Sequence, residues 1–340
     1  MKPMQLPNEF TYRPATMDDI PAVAKLTNDY TEHYLGYSGV TENDVETEWA
    51  MPKFNPQADT QLVFGPAGEL VGYIEVWAVS DPPVHPWIWG RVHPDRHRIG
   101  IGGFLMSWAE MRARQAIERC PEDVRVAYQA STVATIEPPK MLFETIGMQL
   151  IRHSFNMKID FEKAPPEPVW ANGISVRHVT DPEADFETIA YVDIESFRDH
   201  FGFVERPFED EVAWIRSWLE NSEMVADPSL WFLAVDGDQA VGLALCARYD
   251  REDRQYGHVN SLGVLRSHRK RGIGMALLHH AFGEYYRRGY KGVTLGVDAE
   301  NLTGALRLYK KVGMSVHRQI DLYEKELRPG KEVSVQGLAT

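Results

Sequence analysis

The stretch VLRSHRKRGIGMAL, residues 264–277, decides the reading of the fold. It is preceded by a β-type segment, HVNSLGVL (258–265), and passes through Arg269, Lys270 and Arg271 into Gly272-Ile273-Gly274. Beyond the glycines, apolar residues recur at Leu277, Leu278, Ala281, Phe282 and Tyr285, a spacing that predicts an amphipathic helix ending at Gly289. A strand, VTLGV (293–297), and a helix over 302–312 follow, the helix again closed by a glycine. A glycine turn between strand and helix lets successive backbone N–H groups point inward at the positive end of a helix. Such a nest takes a pyrophosphate. A lone G-x-G also fits a mere tight turn, so its surroundings must carry the argument.

Working outward, the same pattern occurs earlier in the chain. VHPDRHRIGIGGFL (92–105) parallels 264–277, and MLFETIGM (141–148) parallels RLYKKVGM (307–314). LVFGPAGELVGYIEVWAV (62–79) parallels FLAVDGDQAVGLALCARY (232–249), both reading as strand, glycine turn and strand, with Gly72 matching Gly242. Arg13 in TYRPATMDDI has its counterpart in Arg177 of SVRHVTDPEA. Four matches in one order, with offsets between 164 and 172 residues, indicate a duplicated domain. The expected division is residues 1–161, a proline-rich linker at 162–173, a second domain at 174–328, and a tail at 329–340.

The rest of the sequence limits the function classes. A length of 340 residues suits two domains, and 44% apolar with 25% charged residues is ordinary for a globular chain. A net charge of −13 disfavours nucleic acid and anionic membranes as partners. No apolar run reaches the length of a membrane span. MKPMQLPNEFTYRP lacks the apolar core of a secretory signal, and Cys120 and Cys246 are far apart, which together point to the cytoplasm. No His, Cys or carboxylate cluster has metal-ligand spacing, so no metal is expected. Cys246, inside the apolar run ALCA, reads as core.

The full string, V-x₄-R-x-x-G-x-G, an amphipathic helix, a strand, and N-x₇-Y-x₃-G, resembles the GCN5-related N-acetyltransferase (GNAT) family. Both halves share the resemblance, the second more completely, in the tandem layout of the mycothiol synthase type. It implies an α/β fold of two tandem domains, each a mixed, mostly antiparallel twisted sheet flanked by helices, with one splayed strand pair. It implies acetyl-CoA as co-substrate and a small-molecule (or peptide) primary amine as acceptor. Laid on this sequence, Leu262 and Val264 offer backbone groups to the pantetheine arm. Arg269, Lys270, Arg271, Gly272, Ile273 and Gly274 hold the pyrophosphate, Asn301 contacts the cofactor, and Tyr309 protonates the departing thiolate. A Tyr309 that only packs against the sheet is the alternative.

An alkyl amine is mostly protonated at neutral pH, so a base is needed as well. Family members with a glutamate base often carry it six residues before the position of Val264, which here is His258. A strand-end surface histidine is the alternative reading, and Asp298 and Glu205 are further candidates. The first copy has His97 for Arg269, Phe143 for Tyr309, Thr135 for Asn301 and Pro86 for His258. It therefore reads as a degenerate copy whose glycines still permit the loop. The acceptor wall expected at 199–223 carries seven carboxylates and two arginines with Phe201, Phe203, Phe208, Trp214 and Trp218. That composition suits a cationic amine, or equally an amphipathic helix with its acids in water. A non-catalytic acetyl-CoA-binding protein is the competing class. The oligomeric state, monomer or homodimer, is left open.

Overall fold

The computed structural model describes residues 6–225, 227–300 and 304–336. The chain forms two compact units, Met1–His153 with Ile320–Val333, and Ser154–Gln319 with Ser334–Thr340. In chain order the first half supplies β1 (Thr11–Arg13), α1 (Ile20–Leu35), α2 (Glu42–Trp49), α3 (Pro56–Asp59), β2 (Thr60–Phe64) and β3 (Leu70–Trp77). It continues with β4 (Trp87–Val92), α4 (Ile101–Arg114), β5 (Val126–Val133), α5 (Glu137–Thr145) and β6 (Gln149–Asp160). The second half supplies β7 (Ile174–His178), α6 (Pro182–Phe197), α7 (Phe208–Asn221), β8 (Trp231–Asp236) and β9 (Gln239–Ala247). Then come β10 (Tyr256–Val264), α8 (Ile273–Arg287), β11 (Gly292–Asp298), α9 (Ala305–Lys311) and β12 (Ser315–Arg328).

Each unit is a mixed, mostly antiparallel sheet flanked by helices, as expected. In the second unit β7, β8, β9 and β10 pair antiparallel, whereas β10 and β11 run parallel. The first unit repeats this, with β4 and β5 as its parallel pair. The division differs from two continuous stretches at one point. Residues 154–160 of β6 pair with β11 in the second unit, and residues 320–328 of β12 pair with β5 in the first. Each half of the chain thus gives its closing strand to the other sheet. Strand sequence fixes which face is apolar but not which edge is joined, so local reading places these strands with their own halves.

The core follows the periodicity read above. Leu277, Leu278, Ala281, Phe282 and Tyr285 of α8 are all buried, packed in one cluster with Phe232, Leu243 and Val259. Burial of each large side chain stabilises the unit by about 1.5–3 kcal/mol. Gly72 and Gly242 do occupy matching places. A Cβ on Gly72 would lie 2.7 Å from Ile101, and one on Gly242 3.5 Å from Ile273, the first residue of the corresponding helix.

Candidate active site

A splay in the parallel strand pair opens the cleft of the second unit. β10 registers with β11 only from Tyr256↔Gly292 to Val259↔Leu295, and beyond that the strands part. The pairing of β10 with β9 shifts between Val259 and Ser261, so Asn260 is a bulge. Bulges bend a strand and re-aim its side chains. The opening is a cleft of about 950 Å³ whose lining includes Leu262, Val264, Arg269, Lys270, Gly272, Ile273, Gly274 and Tyr309. Backbone groups of β10 from Asn260 to Val264, those of Leu262 and Val264 among them, have no β11 partner.

Beyond β10 the loop turns through two left-handed residues, Lys270 at φ 65° and Gly272 at φ 83°, and Gly272 caps α8 without any side-chain cap. The first helical bond runs from the Ala276 N–H to the Gly272 carbonyl. The N–H groups of Ile273, Gly274 and Met275 therefore have no acceptor within the helix. Gly274 also allows a close approach, since its missing Cβ faces Leu308 of α9 at 3.4 Å. The Lys270 ammonium is exposed on the cleft wall, as is that of Lys311 at the end of α9, which sequence reading overlooked.

Arg269 does something other than expected. Its guanidinium turns away from the nest and donates to Asp199 at 2.5 and 3.0 Å, to the Ser196 carbonyl at 2.8 Å and to the Val264 carbonyl at 3.1 Å. Asp199 is nearly buried; burial alone would raise its pKa, but Arg269 outweighs that and holds the carboxyl below its usual range. Arg269 ties the loop to the C-terminal end of α6 and to the strand before it. Arg271 also points elsewhere, 3.4 Å from Asp236 and 3.2 Å from the Asn172 carbonyl. The nest is left to backbone amides and Lys270.

Tyr309 lies on α9 within the cleft, its ring buried. Among the described residues no group hydrogen-bonds its hydroxyl, and burial pushes the phenol up to about 12. It is protonated at neutral pH and has a proton to give.

The chain is similar to known acetyltransferases. A family model described as the acetyltransferase (GNAT) family matches residues 191–314. The crystal structure of a GCN5-related N-acetyltransferase from Sphaerobacter thermophilus superposes with a TM-score of 0.77 at 32% sequence identity, covering 96% of this chain and 99% of that one. The chain belongs to the GCN5-related N-acetyltransferase family. It is an N-acetyltransferase, and the co-substrate of such an enzyme is an acyl-CoA. A mycothiol acetyltransferase of Thermobispora bispora is 25% identical over 282 residues, 82% of this chain and 87% of that protein. A tandem GNAT protein from the clavulanic acid biosynthesis pathway shares the fold, with a TM-score of 0.71 at 16% identity over 95% of this chain and 100% of that one.

Not every candidate of the acetyltransferase site reaches the cleft. His258 does not. A Cβ on Gly257 would meet Tyr285 of α8, whereas one on Gly263 would meet Ser196 of α6. Six residues apart in a regular strand, the two should share a face; the Asn260 bulge reverses the alternation. The same reversal separates His258 from Val264. His258 instead lines a separate small cavity of about 50 Å³ with Asp250, Thr294 and His317. Its Nδ1 lies 2.7 Å from the Thr294 hydroxyl and 3.3 Å from Asp250. Burial raises the Asp250 carboxyl, but His258 and Thr294 overcome this and hold it at about 2. Glu205 is exposed and paired with Arg198 at 3.1 Å, away from the cleft lining. Asp298 does line the cleft; His200, whose imidazole burial lowers, stands in the same lining. Asn301 lies outside the described residues. Among those residues, no three metal-ligating side chains gather and no helix is long and apolar enough to cross a membrane.

The first unit keeps the loop and loses the phenol. Arg98 and Gly100 take the same left-handed turns, at φ 61° and 98°, and Gly100 caps α4. His97 replaces the loop-shaping Arg269, one ring nitrogen 3.1 Å from the Val92 carbonyl and the other 3.0 Å from the Tyr34 hydroxyl. The cavity, about 330 Å³, includes Phe143 where the second has Tyr309. The Arg91 guanidinium, stacked 4.1 Å from the Trp89 ring and 4.7 Å from that of Tyr30, lies in its wall. Glycine 263 occupies the equivalent place in the second unit.

Proposed function

We propose that the cleft between β10 and β11 binds acetyl-CoA and transfers its acetyl group directly to the primary amine of a small molecule, the first unit being a catalytically degenerate copy. The observation that carries this reading is the meeting, in one cleft, of the amide nest at Ile273–Met275 with the unpartnered Tyr309 hydroxyl. The nest takes the pyrophosphate, Lys270 and Lys311 add positive charge at the rim, and the free edge of β10 pairs with the pantetheine amides. The amine nitrogen attacks the thioester carbonyl carbon. As the carbon–sulfur bond breaks, sulfur keeps the electron pair and takes the Tyr309 proton. Direct transfer is supported by the two cysteines. Both are buried, and burial pushes the Cys246 thiol up to about 12, so neither is a nucleophile for an acyl-enzyme. In the first unit Phe143 has no proton to give.

A narrower reading rests on the mycothiol acetyltransferases to which the chain is similar at 25–26% identity, and it makes the acceptor the amine of a cysteinyl sugar. The test is release of free CoA from acetyl-CoA across a panel of small primary amines that includes cysteinyl sugars. Turnover with at least one amine is expected. Tight acetyl-CoA binding with no turnover on a broad panel would favour a non-catalytic binding protein.

A further inference from the structure

The cavity of the first unit presents positive charge and unspent hydrogen-bond donors to an apolar space. Its volume of about 330 Å³ falls in the range of small-molecule sites. Ile74, Ile88, Leu105 and Phe143 stand in its wall, and no carboxylate does among the described residues. On one side it reaches Gly102 and Gly103 at the start of α4. The first helical bond there runs from the Phe104 N–H to the Gly100 carbonyl, so the amides of those two glycines have no acceptor within the helix. Arg98 is exposed on the same wall.

Arg91 decides what such a cavity could hold. Its guanidinium stacks on Trp89 and Tyr30, as described above, and Nη1 donates to the Gly90 carbonyl at 2.9 Å. Nε is buried without a partner, and Nη2 makes no hydrogen bond among the described residues. Nε and Nη2 form the side of the group whose two N–H bonds run parallel, the fork that matches paired oxygens of a carboxylate or phosphate. No acidic side chain comes within ion-pair distance of Arg91 among the described residues. Glu75 on β3 accepts from Tyr73 and Trp77 instead. Burial and the nearby Glu48 push the Glu75 carboxyl up to about 8, so at neutral pH it is largely protonated and does not balance the guanidinium. A buried donor without an acceptor is costly, and a ligand that supplies the acceptor recovers that cost.

We propose that the first unit's cavity binds a small organic anion, a carboxylate or phosphate ester, with its charged oxygens on the Nε–Nη2 edge of Arg91 and its apolar body along Ile74, Ile88 and Phe143. The site is distinct from the β10–β11 cleft and does not depend on acetyl transfer there. It has no counterpart in the second unit, where Gly263 stands in the place of Arg91 and offers no charge.

The test is calorimetry on the full chain with 4-phenylbutanoate, 2-phenylethyl phosphate and the uncharged 4-phenylbutanamide. At least one anion should bind about tenfold or more tighter than the amide, and the stronger of the two tells carboxylate from phosphate. Arg91→Met keeps an unbranched stem against Trp89 and Tyr30 while removing the charge. Arg91→Gln also keeps a donor for the Gly90 carbonyl. Both should lose the preference for the anion, together with the rise in Tm that the anion gives the wild-type chain. Lys270→Glu, in the other cleft, should leave both in place. Equal binding of the three probes by the wild-type chain overturns the proposal even if neither Arg91 variant folds. So does an anion preference that survives in either Arg91 variant, or one that Lys270→Glu abolishes.

Discussion

Replacing Tyr309 with phenylalanine removes one hydroxyl and nothing else from the cleft. That hydroxyl has no partner among the described residues, so no buried donor or acceptor is orphaned, and the change in stability should stay within about 1 kcal/mol. The pyrophosphate contacts lie at the loop and the start of α8, so CoA affinity should stay within about twofold. The loss falls on the step in which sulfur departs. A phenol at about 12 is fully protonated at neutral pH. Without it a thiolate must leave unprotonated, and since an ordinary thiol titrates near 8.5 this is slow but not forbidden. General acid catalysis contributes about 10²–10⁴-fold; the lower half of that range, about 10²–10³-fold in kcat or roughly 3–4 kcal/mol, is expected here. Free-thiol detection of released CoA measures the rate, and calorimetry with CoA measures the affinity. A fall in kcat of less than about threefold, or an equal loss of affinity and rate, refutes the assignment of Tyr309 as the acid.

Other perturbations separate binding, folding and chemistry. Arg269→Ala leaves the nearly buried Asp199 with only the exposed Arg266, 3.3 Å away, and should destabilise the second unit by about 2 kcal/mol, seen as a lower Tm; Arg269→Lys should not rescue it, because one ammonium cannot serve three acceptors in fork geometry. Lys270→Glu with Lys311→Glu should weaken CoA binding by about tenfold or more at low salt and by less at high salt, with Tm unchanged. A salt-independent effect would place the phosphates elsewhere. His258→Ala should leave neutral-pH turnover within about threefold. The Asp250 carboxyl, held at about 2 and so below its unfolded value near 3.9, contributes stability above that value and loses it as pH falls toward 2. Removing its imidazole partner should therefore shift acid unfolding, followed by circular dichroism, to higher pH.

The sequence carried the loop and both helices of the site because those signals are local. The glycines at 272 and 274, the apolar spacing of α8 and the tyrosine of α9 each follow from neighbours a few residues away. His258 failed because a single bulged residue, Asn260, reverses the alternation of β10, and nothing in the string HVNSLGVL marks the extra residue. Arg269 has the residue type of a phosphate ligand, but its partner, Asp199, lies 70 residues earlier, and only the fold brings them together. The exchange of β6 and β12 was likewise invisible, since strand sequence does not name its neighbour. In the acidic segment at 199–223, composition alone could not tell that Glu211 turns inward while Glu205 and Glu209 stay exposed.

A structure of the full chain with CoA bound tests the whole account most directly. The diphosphate should lie within hydrogen-bonding distance of the N–H groups of Ile273, Gly274 and Met275, with the sulfur beside the Tyr309 hydroxyl. CoA found only against Gly100 and Gly102, with the β10–β11 cleft empty, would contradict it.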